Sequence, residues 1–155
     1  MIRLLLIVLA MTPAFAANAE DTVHGKARVI SGDTLVVDGQ RMHLYGIDAP
    51  ELGQPCQWPN KTIDCGNISR TGLLDLIAPV SISCQKRGVA DDGAWVATCR
   101  AEGFDVGRNM VHTGWAVATP DDPARYLPTQ KKAQAGKRGI WRGTFDLPWQ
   151  WRAKP

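Results

Sequence analysis

Three carboxylates that could act together lie within nineteen residues of the chain, in two short motifs. Asp33 belongs to Ser31-Gly-Asp-Thr-Leu35, and Asp48 and Glu51 belong to Leu44-Tyr-Gly-Ile-Asp-Ala-Pro-Glu51. A glycine or a proline stands close to these acids, at points where a strand ends and a side chain can turn into a cleft. Carboxylates that converge with backbone carbonyls form an oxygen site suited to a hard cation such as Ca²⁺.

The segment between the two motifs predicts a hairpin that would bring the aspartates together. Residues 35–44 have the pattern of two strands joined at Asp38-Gly39, which is a strong short hairpin signal. A hairpin returns its two far ends to the same place. We therefore expect Asp33 and Asp48 to be neighbours in space.

The composition predicts one domain behind an export signal. The chain has 155 residues, of which 45% are hydrophobic, enough for one domain with its own core. Residues 1–19 combine a basic start, an apolar run over 4–11 and two small-x-small sites, which is typical of a secretory signal peptide too short to span a membrane. We expect residues 1–19 to be removed, residues 20–155 to form the domain, and the protein to be periplasmic or secreted.

The charge balance permits a polyanionic partner but does not require one. The chain carries 18 Lys and Arg against 15 Asp and Glu, and loss of Arg3 with the signal leaves 17 against 15, a net charge of +2. After the signal, no other stretch is apolar enough to predict a membrane span. We expect a monomer.

Four cysteines in an exported chain predict two disulfides, for which three pairings exist. Cys84 and Cys99 each end an apolar run, and Asp91-Asp92 between them is equidistant from both, so a hairpin would place them opposite each other. Cys56 and Cys65 would then close a short loop. The alternative is a zinc site that uses one of the three histidines, but no C-x-x-C or H-x-x-x-H spacing supports it.

The remaining pattern predicts the architecture. Strands are expected at 25–30, 34–37 and 41–47 and around Cys84 and Cys99; helices at 67–77, from an N-cap at Asp105 to Gly114, and at 129–137; loops at 56–66 and 119–128. Five strands with a helix between the third and fourth predict an α+β, mainly β fold. We expect a five-stranded OB-type barrel with about three packed helices.

These motifs resemble those of the staphylococcal nuclease (thermonuclease) family, over nearly all of the chain after the signal. The resemblance is carried by Gly32-Asp-Thr34, Leu44 to Glu51, Val111-His-Thr-Gly-Trp-Ala116 and Gly139-Ile-Trp141. The second motif is highly specific, whereas the others mean little alone. The resemblance implies an OB barrel and calcium-dependent hydrolysis of phosphodiester bonds in DNA and RNA.

The resemblance also implies roles for the acidic residues. Asp33 and Asp48 match by position the family's calcium-ligating aspartates, and Ala49 stands where a backbone carbonyl joins them. Glu51 matches the carboxylate that positions or deprotonates the attacking water. One Ca²⁺ ion is the expected cofactor, and nucleic acid is the expected substrate.

Two arginines of the family nucleases are replaced in this chain, by His43 and Ala94. Guanidinium groups stabilise the charge of a phosphoryl transition state, and loss of one preorganised donor typically costs about 10²–10³ in rate. His43 could donate to a phosphate when protonated, and Arg41 lies two residues earlier on the same strand face. Lys86 or Arg87, in the loop before Asp92, could also supply the missing charge.

Two function hypotheses follow from this pattern. The first is a weak exported nuclease with Glu51, His43 and Arg41 as catalytic residues, which the intact acidic trio favours. The second is a non-catalytic OB domain that binds a polyanion or a protein in an envelope process, which the two replaced arginines favour. The tryptophans at 141, 149 and 151 are predicted to be core or surface staples rather than base-stacking platforms.

Overall fold

A computed structural model describes residues 21–120 and 122–155 of the chain, so the predicted signal peptide lies outside the described residues. The strands are β1 (Thr22–Gly25), β2 (Ala27–Val29), β3 (Thr34–Val37), β4 (Gln40–Leu44), β5 (Ile47–Asp48), β6 (Pro55–Trp58), β7 (Lys61–Asp64), β8 (Ile82–Val89), β9 (Trp95–Ala101), β10 (Phe104–Asp105) and β11 (Val117–Ala118). The helices are α1 (Cys65–Ile77), α2 (Val106–Thr113), α3 (Pro123–Ala135) and α4 (Pro148–Arg152), with a short 3-10 helix at Gly139–Arg142.

The main sheet has the strand order β1-β8-β9-β4-β3-β2, with β10 beside β9. β1 and β2 are the two halves of one bent segment, separated only by Lys26, yet they pair with opposite ends of this order. Because one bent segment pairs with both edges of the sheet, the sheet must curl towards a barrel. With β1 and β2 counted as one strand, β3, β4, β8 and β9 complete the five strands predicted, and the expected mixed α+β fold with about three helices is confirmed.

The hairpin between the two acidic motifs forms as predicted. Val37 pairs with Gln40, which leaves Asp38 and Gly39 as a two-residue turn. Both turn residues have positive φ, 48° and 76°, as a turn that matches the twist of the strands requires. The same hairpin places Thr34 opposite His43.

Both predicted disulfides are present. Cys84 and Cys99 face each other in the β8–β9 register and are bonded, and the second bond joins Cys56 of β6 to Cys65 at the start of α1. No free cysteine is found in the described part of the chain. The zinc alternative is therefore wrong, because all four thiols are consumed.

Two segments predicted as loops are regular structure. Residues 56–66 contain the hairpin of β6 and β7 and the first turn of α1, which Asp64 caps by accepting a hydrogen bond from the Asn67 N–H at 3.0 Å. Residues 119–128 contain the first half of α3. Its prolines suggested a loop, but Pro123 stands in the first helical turn, where the N–H that it lacks would have no partner, and the helix also accommodates Pro128 in its interior.

Two hydrophobic clusters position the helices. The larger one lies between the curled sheet and helices α1 and α2, and includes Leu35, Met42 and Leu73. The smaller one joins the Cys56–Cys65 disulfide to Val117 and Ile140, and Trp149 of α4 packs against it. No helix in the described residues is long and apolar enough to cross a membrane. The second cluster matters for function because it fixes α4 beside the acidic motifs.

Candidate active site

The two acidic motifs open onto one cleft of about 950 Å³. Its lining residues come from the ends of β3, β4 and β5, from the loop that follows β5, and from α4. The predicted site residues on this surface are Asp33, Arg41, His43, Asp48 and Glu51. Their meeting in one cleft follows from the β3–β4 hairpin, which returns the end of β4 to the start of β3.

Asp33 is held from three directions. Its Oδ1 accepts hydrogen bonds from the hydroxyls of Ser31 at 2.7 Å and Thr34 at 2.9 Å. Its Oδ2 accepts from the backbone N–H of Ala49 at 2.8 Å, so the two acidic motifs are tied together directly. Ala49 was expected to contribute its carbonyl, but the contact that the structure shows is through its N–H.

The close approach of these segments depends on Gly32. A Cβ atom at this position would lie 2.8 Å from the Ala49 Cβ and would overlap the Ser69 side chain of α1. Any side chain here would push the Asp33 loop away from both neighbours. Glycine is therefore needed for steric reasons at the point where the two motifs meet.

Asp48 is the most enclosed carboxylate of the site, with 8% of the residue exposed. It ends β5, where it lies opposite Val117 of β11. Burial raises the pKa of Asp48, and the neighbouring Asp33 charge raises it further. The hydrogen bond from Arg152 acts in the opposite direction and favours the ionised carboxylate.

Arg152 reaches this carboxylate from α4. Its Nη1 donates to Asp48 Oδ1 at 3.0 Å and its Nη2 donates to Oδ2 at 2.7 Å, which is a two-pronged ion pair. Its Nη1 also donates to Glu51 Oε1. The hydrogen bonds to these acceptors raise the pKa of the guanidinium and keep it charged, and the bonds to Asp48 have the largest effect. A single arginine therefore joins the two carboxylates that stand beside Asp33.

A buried glutamine connects Glu51 to the segment that carries Arg152. Gln54 is fully buried, and its Oε1 accepts a hydrogen bond from the Glu51 N–H at 3.0 Å. Its Nε2 donates to the backbone carbonyl of Asp146 at 2.8 Å, just before α4. The glutamine thus sets the distance between the acidic loop and α4.

His43 and Arg41 line the cleft but are directed at Asp92. Nδ1 of His43 lies 2.9 Å from the Thr34 hydroxyl and Nε2 lies 3.0 Å from Asp92 Oδ2. Arg41 Nε is 3.9 Å from the same carboxylate oxygen. The pKa of Asp92 is held below its usual range, first by the hydrogen bond from the Ala94 N–H and second by the one with His43. Both ring nitrogens of His43 therefore already have oxygen partners.

The other two basic residues proposed from the sequence are not brought to the cleft. Lys86 lies over the Trp95 ring at 5.1 Å, and the Arg87 Nε donates to the Thr98 hydroxyl at 3.1 Å. Neither lies among the residues that line the cleft. Their proposed role as the missing cation is therefore not supported by the structure.

Comparison with known proteins places the chain in a family. The family described as staphylococcal nuclease homologue matches residues 41–143. The chain belongs to the staphylococcal nuclease family. The matched residues include Asp48 and Glu51, whereas Arg152 lies beyond them.

Individual relatives of this nuclease-family chain come from bacteria and plants. The succinoglycan biosynthesis protein ExoI of Rhizobium meliloti (strain 1021) is 34% identical over 140 residues, which are 88% of this chain and 73% of ExoI. The probable staphylococcal-like nucleases CAN2 and CAN3 of Oryza sativa subsp. japonica are 29% and 28% identical over 125 residues. The chain spans 32% and 31% of these two plant proteins.

The donor atoms of this nuclease-family site fit Ca²⁺ in their chemistry. Asp33 and Asp48 offer the hard oxygens that the ion prefers, and water would complete its coordination. Arg152 already holds both Asp48 oxygens, so the ion and the guanidinium compete for them. Within residues 21–120 and 122–155, no group of three or more His, Cys, Asp or Glu is arranged as a metal site.

Sequence reasoning missed Arg152 and Gln54. Arg152 lies 104 residues after Asp48, and nothing local to the Trp-Gln-Trp-Arg sequence of the tail relates it to an acidic motif. Gln54 stands three residues after Glu51, close enough to have been suspected as a positioning residue. Trp149 packs against the second hydrophobic cluster, and it also lines the cleft.

Proposed function

We propose that the protein is an exported, calcium-dependent nuclease of low turnover that hydrolyses phosphodiester bonds in DNA or RNA. One observation carries the proposal: Asp33, Asp48 and Glu51 line a single cleft in a chain of the staphylococcal nuclease family. Two plant relatives bear the name of probable nucleases. The two disulfides agree with an oxidising compartment outside the cytoplasm.

In this mechanism Asp33 and Asp48 would hold the ion, which would supply positive charge against the phosphoryl oxygens. Glu51 accepts the proton of the attacking water while the water oxygen bonds to phosphorus and the leaving oxygen departs. Glu51 is placed for this because its Oε2 has no hydrogen-bond partner among the described residues, while Arg152 fixes the position of its Oε1. Asp33 needs no rearrangement, because three donors already fix it.

Low turnover follows from the replaced arginines. Ala94 is buried and apolar, so it offers no charge to a phosphate. His43 is engaged on both sides by Thr34 and Asp92. Each lost guanidinium removes about 10²–10³ from the rate unless another group takes its place.

The test is cleavage of denatured DNA with added Ca²⁺, at enzyme concentrations high enough to detect slow turnover. We expect cleavage that a chelator abolishes and that Glu51→Gln lowers by about 10²-fold or more. Asp75→Asn, an exposed acid on α1, is the control and should leave the rate unchanged. No cleavage by wild-type protein with its disulfides intact and a cooperative unfolding transition would overturn the proposal.

A second candidate function is binding without catalysis, to a polyanion or a protein partner in an envelope process. The observation that favours it is the likeness to a protein named for succinoglycan biosynthesis, which covers 73% of that protein. The hold of Arg152 on both Asp48 oxygens also favours it, because it opposes metal binding. This function predicts folded protein that cleaves nothing with any divalent metal in the same assay.

A further inference from the structure

We propose that Arg152 is the phosphate-binding arginine of this cleft, supplied by α4 in place of the arginines that His43 and Ala94 replace. The proposal rests on the proposed function, since it names the residue that binds the phosphate of the nucleic acid. It concerns a residue outside the stretch that matches the family, so the assignment comes from the geometry of this chain.

The argument begins with the hydrogen atoms of the guanidinium. Arginine carries five N–H donors, and the described residues accept from three of those on Arg152, through Asp48 and Glu51. The two that remain are the Nε–H and the second hydrogen of Nη2. They lie on one edge of the planar group and form a fork that matches two oxygens of a phosphate.

The Arg152 side chain is more open to solvent than the acid that it binds. Its side chain is 47% exposed, whereas the Asp48 side chain that it binds is 11% exposed. One end of the guanidinium is thus anchored on an enclosed acid, and Arg152 also lines the open cleft. Anchoring of this kind removes most of the side-chain freedom that phosphate binding would otherwise have to restrict.

The same face of α4 brings an aromatic ring to the cleft. Trp149 precedes Arg152 by three residues, so the two side chains lie on one side of the helix. Both line the cleft that holds the acids. A guanidinium beside an aromatic ring is the pairing with which proteins bind single-stranded nucleic acid, the first for phosphate and the second for a base.

Several contacts hold α4 where it can do this. Gln54 binds the Asp146 carbonyl, and a backbone pair between Gln57 and Thr144 ties the approach to α4 to strand β6. The Leu147 N–H donates to the Gln150 side chain at the start of the helix, at 3.2 Å. α4 is therefore a fixed wall of the cleft.

The experiment measures binding of a fluorescein-labelled, single-stranded phosphorothioate DNA by fluorescence anisotropy, with a chelator present so that no ion competes with Arg152 for Asp48. The length of the DNA is checked on a gel afterwards. We expect Arg152→Gln to weaken binding by about 10- to 100-fold, as loss of hydrogen bonds from a charged donor predicts. Arg152→Lys keeps the charge without the fork and should recover only part of the loss. Arg142→Gln removes the same charge from an exposed arginine over the Trp58 ring and is the matched control.

Three outcomes would overturn the assignment. If the wild-type protein does not bind the DNA, the cleft has no phosphate site and Arg152 cannot be its arginine. Equal or tighter binding by Arg152→Gln would mean that Arg152 only neutralises Asp48 and Glu51. An equal loss in Arg142→Gln would reduce the effect to overall charge. Thermal unfolding of each variant checks the fold, and Arg152→Lys provides the comparison if the glutamine variant is unstable.

This test separates the arginine from the nuclease proposal. Wild-type protein that binds the DNA through Arg152 but cleaves nothing would refute catalysis and keep the phosphate site. Wild-type protein that cleaves, with Arg152→Gln binding unchanged, would keep the nuclease and refute the role of Arg152. A Ca²⁺ titration alongside should show tighter ion binding in Arg152→Gln, because both Asp48 oxygens are released.

Discussion

Replacement of Gln54 by alanine should both destabilise the protein and disorder the cleft. The change removes two hydrogen bonds from a fully buried side chain, one to the Glu51 N–H and one to the Asp146 carbonyl. A partner left without its hydrogen bond in a partly buried position costs about 1–3 kcal/mol. Because both partners are near the surface, we take the lower half of this range for each and expect a loss of about 2–4 kcal/mol in all.

Urea unfolding followed by tryptophan fluorescence measures this loss directly. With an m-value of about 2 kcal/mol per molar, the middle of the usual range, the midpoint should fall by roughly 1–2 M. The matched control is Gln57→Ala, whose side chain is exposed and accepts a single hydrogen bond from Thr62. That variant should change the free energy of unfolding by less than about 0.5 kcal/mol.

The functional readout of Gln54→Ala is cleavage, or DNA binding if cleavage is absent. Loss of the glutamine releases the segment before α4 from the acidic loop, so Arg152 and Glu51 lose their common alignment. A misplacement of about 1 Å at a catalytic group can cost ~10²-fold in rate. If Gln54→Ala and Gln57→Ala unfold at the same urea concentration and act equally well, the glutamine does not connect the two segments and our account of α4 is wrong.

Two further predictions concern the scaffold. Burial raises the pKa of Tyr126 to about 12, with Asp105 adding to the effect. Between pH 10 and 12 an unfolded tyrosine therefore loses its proton while the native one keeps it, so stability should fall as pH rises through this window, by at most about 2–3 kcal/mol. Tyr126→Phe should remove that slope in urea melts at alkaline pH, and an identical slope in both proteins would contradict the assignment. The double variant Cys84→Ser/Cys99→Ser should lose about 2–4 kcal/mol of unfolding free energy, because it opens a loop of 15 residues in sequence. An unchanged urea midpoint would show that this disulfide does not stabilise the barrel.

The features that the sequence predicted well are local ones. Asp38-Gly39 specifies its turn by backbone conformation, Asp105 caps α2 through the Arg108 N–H at 3.0 Å, and Gly114 ends the helix with a positive φ of 79°. Each of these depends on residues a few positions apart. The pairing of Cys84 with Cys99 was also predictable, because a hairpin is a short-range structure.

The features that were missed depend on distant parts of the chain. Pro123 and Pro128 suggested a loop, yet α3 forms because tertiary packing buries Tyr126 against the core. The residues around Arg152 in the sequence do not indicate that it reaches the cleft, since an arginine near a chain end is usually solvated. Its partners are set by the packing of Trp149 and the hydrogen bonds of Gln54, and neither is visible in the spacing of residues.

The late position of α4 has a consequence for how the site is assembled. A chain made from its N terminus contains Asp33, Asp48 and Glu51 about a hundred residues before the arginine that joins two of them. Until α4 docks, the barrel carries three facing acids with no guanidinium between them. Docking of α4 would therefore neutralise part of this charge, so an incomplete chain should attract cations more strongly than the finished one.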